Sequence, residues 1–393
     1  MLKCASVHTS EIDDAKAALD EIKSQISEKI ALLENTVAIV TCHTEFIVTG
    51  ALGHICENLP FDTVGITTAG SATNSGIGEY ALSIFIMTSD DTRFITGMTG
   101  GGEGGEDIDG SVGAAYARAA ALTAERPKLV LTFPPFFPFT LRNEYIAAWE
   151  KVAPGTPVFG SFAADDSVDF SGSETIFNGA NYKNATPYIL CYGNINPRFL
   201  IGPVPSGNDI PSEGVVTKSR GSYVYEINHI KAYDYLKSLD LKKELTTEDV
   251  LLLFPLRVHF KGCKDYDGVP VLRVHGGFAE DGAAIFHGDM PEGSTFSYAT
   301  PQPDDILTST VQRIEDINAM ADVNGVLLFS SGCRRMVIIC IDSLIELETA
   351  HNSLNPAIPF LMGYSGGTMC PTSMKNGVPV NRVHAYSLVM LVV

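Results

Sequence analysis

The chain has 393 residues, 45% of them hydrophobic, and a formal net charge of −19. That apolar content excludes a disordered chain, and the length allows a large buried core shared by two or three domains. The negative charge opposes nucleic acid and anionic membrane, because both are polyanions.

The opening MLKCASVHTSEIDDAKAALDEI lacks the apolar core of a signal peptide, and no later apolar run approaches the roughly 18 residues of a membrane span. Ile12, Ala15, Leu19, Ile22, Ile26 and Ile30 follow helical spacing and predict a helix over 12–33, with Ser10 as its N-cap. The stretch TVAIVTC from Thr36, then DTVGITTAG, then YALSIFIMT read as three strands, the second closing on a small-residue turn. A second helix is predicted over 112–124. The same strand plan then returns as KLVLTFP, TPVFGSFAADD and TPYILCYGN. Pro and Gly accumulate in IGPVPSGNDIPSEG, which divides the chain into domains 1–205 and 206–393. Beyond it, VVTKSRGSYVYEINHIKAYDYLKSL predicts a hairpin and a helix, followed by short strands joined by tight turns. A helix over 306–321, capped by Asp304 or Asp305, opens the third repeat: GVLLFSSG, IPFLMGYSGG and AYSLVMLVV. The fold class is therefore α/β, with mixed sheets built from repeated strand-helix-strand-turn-strand units in two domains. KLVLTFP should pair in parallel with VFGSF, and GVLLFSS with FLMGY. The third strand of each repeat follows without a clear helix and should run antiparallel.

Eight cysteines contain no CxxC pair, and Cys42, Cys191 and Cys340 sit inside apolar runs. They read as reduced thiols in a cytosolic chain. No histidine pair has HExxH or HxxxH spacing, so neither a metal nor a cofactor is expected.

GYSGG (363–367) satisfies the pattern of a serine-hydrolase nucleophile elbow, which requires a helix directly after the serine. Here Pro371 and SMKNGVPVN follow, and downstream of Ser365 stand His384 and no carboxylate. GGGEGG (100–105) matches a dinucleotide fingerprint, yet Glu103, Glu106, Asp107 and Asp109 crowd the place of a pyrophosphate. It reads as an acidic loop, with a weak cation site as the lesser alternative. Asp165 and Asp166 are neighbours on extended backbone and point apart, so each either caps a turn or holds a ligand ammonium. Arg334 and Arg335 follow a strand end, where one guanidinium can grip a carboxylate through two parallel hydrogen bonds. Cys333 stands beside both cations.

These segments resemble the FIST family (F-box and intracellular signal transduction), from about residue 35 to the end. VGITTAG and PVFGSFAADDSVDFSGSETIFNG resemble its N-terminal domain. VVTKSRGSYVYEINHIKAYDYL, AIFHGDMPEGS, GVLLFSSGCRR and PFLMGYSGGTMCP with HAYSL resemble its C-terminal domain. Three positions depart from the family pattern: Ser331 replaces a cysteine, Thr368 a glutamate, and Ala385 an asparagine beside the last histidine. The resemblance implies intracellular signalling through small ligands, including amino acids, without enzymatic activity. Output would pass through a separate signalling protein.

The combined expectation is a cytosolic sensor for an amino acid or related small acid. Arg334 would hold the carboxylate and Asp165 or Asp166 the ammonium. Gly160, Gly363, Gly366 and Gly367 would let backbone approach the ligand, with Ser365, Thr368 and His384 at the rim. Two alternatives stand beside it: a hydrolase or transferase using Cys333, Ser365 or His384, and a scaffold in which the turns only pack.

Overall fold

The protein is described by a computed structural model covering all residues except 101–106, 137–141, 168, 239–253, 262 and 264–266. The acidic loop GGGEGG lies outside the described residues beyond Gly100. Three six-stranded sheets carry the three repeats, and one eight-stranded sheet fills the interval between the second and third.

Each repeat supplies the same set of elements. An edge strand comes first: Lys3–Thr9, Thr92–Thr99 or Arg198–Gly202. A helix follows: Ala15–Lys29, Ile108–Ala120 or Pro303–Asn318. The first and second strands then pair in parallel: Asn35–Cys42 with Asp62–Thr67, Leu129–Thr132 with Val158–Ser161, and Val326–Ser331 with Phe360–Ser365. The return strands Leu82–Ser89, Thr186–Gly193 and Leu388–Val392 run antiparallel to the first strands, between them and the edge strands. The parallel pairs and the antiparallel return agree with the sequence reading.

The chain between the second and return strands forms a hairpin, and the sequence reading did not find where it goes. Each hairpin leaves its own repeat and pairs with the second strand of another. Ser71–Thr73 of the first repeat joins Phe360–Ser365 of the third. Thr175–Phe177 of the second joins Asp62–Thr67 of the first. Thr368–Lys375 of the third joins Val158–Ser161 of the second. The exchange closes a ring of three.

Alternation along the strands explains how the ring packs. Val37 and Ile39, Leu129 and Leu131, and Leu327 and Phe329 point inward and share one core drawn from all three sheets. Ala38 and Val40, Val130, and Val326 and Leu328 point outward under the helices. Strands covered on both faces read as continuous apolar runs, which is how they appear in the sequence. Strands Ile210–Arg220 to Thr295–Tyr298 and helix Ala232–Lys237 form a unit with its own core around Val216, Val258 and Phe296.

Three predicted helix starts shift. The first helix is capped by Asp14, which accepts from the backbone of Lys16 and Ala17, and not by Ser10. The edge strand occupies the chain up to Thr9, and Ser10 instead lies beside His8. The second helix begins at Ile108, with Asp107 accepting from Gly110 N. The third is capped by Gln302, and Asp305 returns a carboxylate to the Gln302 N–H as the other half of a capping box. Among the described residues, no helix is long and apolar enough to cross a membrane.

Candidate functional site

The turns after the three second strands meet at one end of the ring. Ala164 N–H donates to Thr67 O (3.1 Å), and Phe162 N–H to Gly367 O (2.9 Å). Gly366 N–H donates to Phe162 O (3.0 Å), and Tyr364 N–H to Gly70 O (3.3 Å). Thr68 Oγ1 donates to Tyr364 O at 2.6 Å. The turns therefore converge on one another, and their backbone groups are spent on neighbouring turns.

Arg142, at the start of helix Arg142–Val152, completes this junction. Its Nη1 donates to Gly366 O (3.0 Å), and its guanidinium carbon stands 4.5 Å from the centre of the Phe162 ring. Burial lowers its pKa to about 9. The sequence signal for Arg142 is slight: a single arginine between an aromatic loop and an apolar helix.

The predicted glycines serve this packing. A Cβ on Gly366 would lie 2.6 Å from Ala163 O, and one on Gly367, whose φ is +134°, would lie 2.6 Å from Arg142 Nη1. A Cβ on Gly160 would fall 1.8 Å from Thr132 O on the adjacent strand. Gly363 has more room, with Thr68 Oγ1 at 3.3 Å. Thr368 is buried in the hairpin ladder between Ser161 and His384.

Arg334 also departs from expectation. It is fully buried, and its guanidinium is held by Glu346, Ser309, Thr310 and the carbonyls of Gly202 and Ile306. The carboxylate it grips is the protein's own. Arg335 pairs with Glu79 at 2.9 Å. Asp165 caps its turn, accepting from Ser167 N (2.9 Å) and Ser167 Oγ (2.5 Å). Asp166, in the bend that follows, is exposed, and its Oδ2 lies 3.7 Å from His43 Nε2. Burial pushes the Cys333 thiol up, with nearby Arg142 opposing that shift.

Ser365 ends a strand and enters another through Gly366 and Gly367, without the helix an elbow needs. Its Oγ faces two carbonyls, Ser330 O and Gly367 O, each at 3.3 Å. A hydroxyl whose neighbours are acceptors of this kind has no base to remove its proton. A fluorophosphonate probe is therefore expected to label wild-type protein no more than Ser365→Ala. Stoichiometric labelling at Ser365 would overturn this reading.

His384 alone of the predicted rim residues lines a described cavity. The space, about 550 Å³, lies between the Phe199–Ser206 segment, the eight-stranded unit and the third hairpin. Arg257, His259, Arg313, Thr372 and Ser387 also line it, and among the described residues no carboxylate does. Arg257 is bound by Asp209 through Nε (2.5 Å) and Nη2 (3.0 Å), which leaves its Nη1 without an acceptor among the described residues. Arg313 pairs with Asp316 at 3.0 Å. His384 Nε2 must donate to Cys370 O (3.0 Å), since a carbonyl only accepts, so Nδ1 carries the lone pair. Burial lowers the His384 pKa to about 4, and burial also lowers that of His259. The alternation in LRVH could have marked Arg257 and His259 as one face of a strand. Their meeting with His384 depends on the exchanged hairpin and was invisible.

The FIST N domain matches residues 36–230 and the FIST C domain matches residues 232–371. Among curated proteins, none matches the chain. FIST domains are associated with signal transduction and small-ligand sensing. The cavity draws its walls from both matched stretches.

Proposed function

This chain belongs to the FIST family, and from that premise we propose that it is a cytoplasmic sensor binding a small carboxylic acid, without catalysis, in the cavity at His384. The observation that carries this reading is the lining: two arginines, two histidines and three hydroxyls, with no carboxylate among the described residues, in a chain of net charge −19. Its volume suits a small ligand, and Leu200, Val269 and Leu272 supply an apolar wall for the body of an acid. Binding would be passed to a separate signalling protein. Eight free cysteines suit a reducing compartment.

The test is a thermal-shift screen of amino acids and small organic acids against wild type and Val269→Trp. Val269 is exposed at the cavity wall, so the indole fills the space without disturbing a core. A ligand that raises the melting temperature of wild type is expected to lose that effect in the variant. No shift by any acid, or an equal shift in both proteins, would sink the proposal.

A pH dependence follows. A carboxylate beside His384 favours imidazolium and raises a pKa that burial holds near 4. Binding then takes up a proton between the free and bound values. Affinity should rise as pH falls through that window, by up to about tenfold per pH unit. Isothermal titration in buffers of different ionisation enthalpy measures the uptake. The same residue destabilises the fold in acid, because the unfolded histidine protonates near 6.5 and the buried one does not until about 4. That loss accrues as pH drops from 6.5 through 4.

A further inference from the structure

We propose that a second cavity, between helix Arg142–Val152 and hairpin strand Val378–His384, is a binding site for a hydroxylated oxyanion, such as a hydroxy acid or a sugar phosphate. The cavity measures about 470 Å³ and is separate from the one at His384. Its floor is Arg273, only 1% exposed. Nε donates to Asp289 O (3.1 Å), and Nη1 to Leu272 O (3.3 Å) and Val383 O (3.0 Å). Nη2 donates to no group among the described residues, and the guanidinium lines the cavity. A guanidinium N–H with no acceptor among the described residues is open to an oxyanion in the cavity.

Two further features fit that occupant. Arg382 lines the same cavity, and both guanidiniums lie over the Phe260 ring, at 5.4 Å for Arg273 and 4.6 Å for Arg382. Arg382 also feels Asp267 and Arg273 feels Asp289, and an oxyanion in the cavity would meet both guanidiniums. Gly288, with φ +115°, adjoins Arg273: a Cβ there would lie 2.8 Å from the guanidinium carbon, so any other residue would displace the group.

The remaining lining sets the rest of the ligand. Lys375 adds a third cation, while Glu150 and Asp289 contribute carboxylates. Glu150 Oε1 accepts from Asn381 Nδ2 at 3.1 Å. The carboxylates and the amides of Asn143 and Asn376 suit hydroxyl groups on the body of the ligand.

Isothermal titration of the full chain with glycerate and with glycerol phosphate tests this. At least one should bind saturably, and the tighter of the two identifies the oxyanion as carboxylate or phosphate. Ala147→Phe fills the cavity from an exposed position on the helix, and Arg382→Gln removes one cation. Each should weaken binding by about tenfold or more, while Val269→Trp in the other cavity should leave it unchanged. Thermal melts without ligand establish that the variants fold. Failure of both probes to bind wild type would overturn the proposal, as would binding that survives Ala147→Phe and Arg382→Gln or that disappears in Val269→Trp. These outcomes leave the reading of the His384 cavity standing.

Discussion

Gly160→Ala and Gly65→Ala are each expected to destabilise the protein severely. The two glycines hold equivalent places on their second strands, opposite Thr132 and Val40 in the parallel ladders. In each case an added Cβ would lie 1.8 Å from the partner strand's carbonyl oxygen. No rotamer relieves such a collision, because the backbone fixes the Cβ position and the oxygen it meets is a backbone atom. The strands must separate, which breaks a ladder buried on both faces. A loss of about 3 kcal/mol or more is expected. Gly363 occupies the same place in the third repeat, opposite Phe329, yet its nearest neighbour is the Thr68 hydroxyl at 3.3 Å. Gly363→Ala should therefore cost about 1 kcal/mol or less. Urea denaturation of the three variants separates the cases. If Gly160→Ala were as stable as wild type, strand packing would not explain the glycine and close approach of a ligand would regain force.

The repeats were legible because period-two alternation and continuous apolar runs are local properties. Val37, Leu129 and Leu327 announce three first strands, and the parallel pairing follows from the helical crossover between each first strand and its second. The edge strands were harder. Lys3–Thr9 mixes Lys3, Ser6, His8 and Thr9 with apolar residues, because its neighbour on one side is a strand and on the other a rim. The hairpin exchange left no local trace. Ser71–Thr73 is a three-residue strand whose partner, Phe360–Ser365, lies almost three hundred residues away. The site suffered from the same cause. Gly366 and Gly367 were expected to let backbone approach a ligand, whereas Ala163 and Arg142 are what stand against them in the structure. His384 stood out as the histidine downstream of Ser365 and as the last histidine of the family pattern. Its companions Arg257 and Arg313 come from a β unit and a helix that only the tertiary fold brings together.

Arg334→Ala and Glu346→Ala should each cost about 3–5 kcal/mol, because either change leaves a charge buried without its partner. Both residues are fully buried. Arg334 Nη2 donates to Glu346 Oε1 at 2.7 Å, and Nε donates to the same oxygen at 3.0 Å. Glu346 Oε2 accepts from Ser330 Oγ at 2.8 Å, and Arg334 also reaches Thr310 Oγ1 (2.8 Å) and Gly202 O (3.2 Å). The pair thus ties the edge strand, the first strand and three helices of the third repeat. Replacing both charges, as in Arg334→Met with Glu346→Leu, removes the uncompensated charge together with its partner. The double variant should therefore be more stable than either alanine variant, a sign that denaturant melts read directly. The contrary result is equally plain. If Arg334→Ala kept wild-type stability and lost only the ligand found by the acid screen, the guanidinium would be a recognition group, as its place after the strand first suggested. Seven hydrogen bonds from the Arg334 side chain to protein acceptors argue for the structural outcome. A ligand carboxylate entering here would have to displace Glu346, whose own charge would then be left buried without a cation.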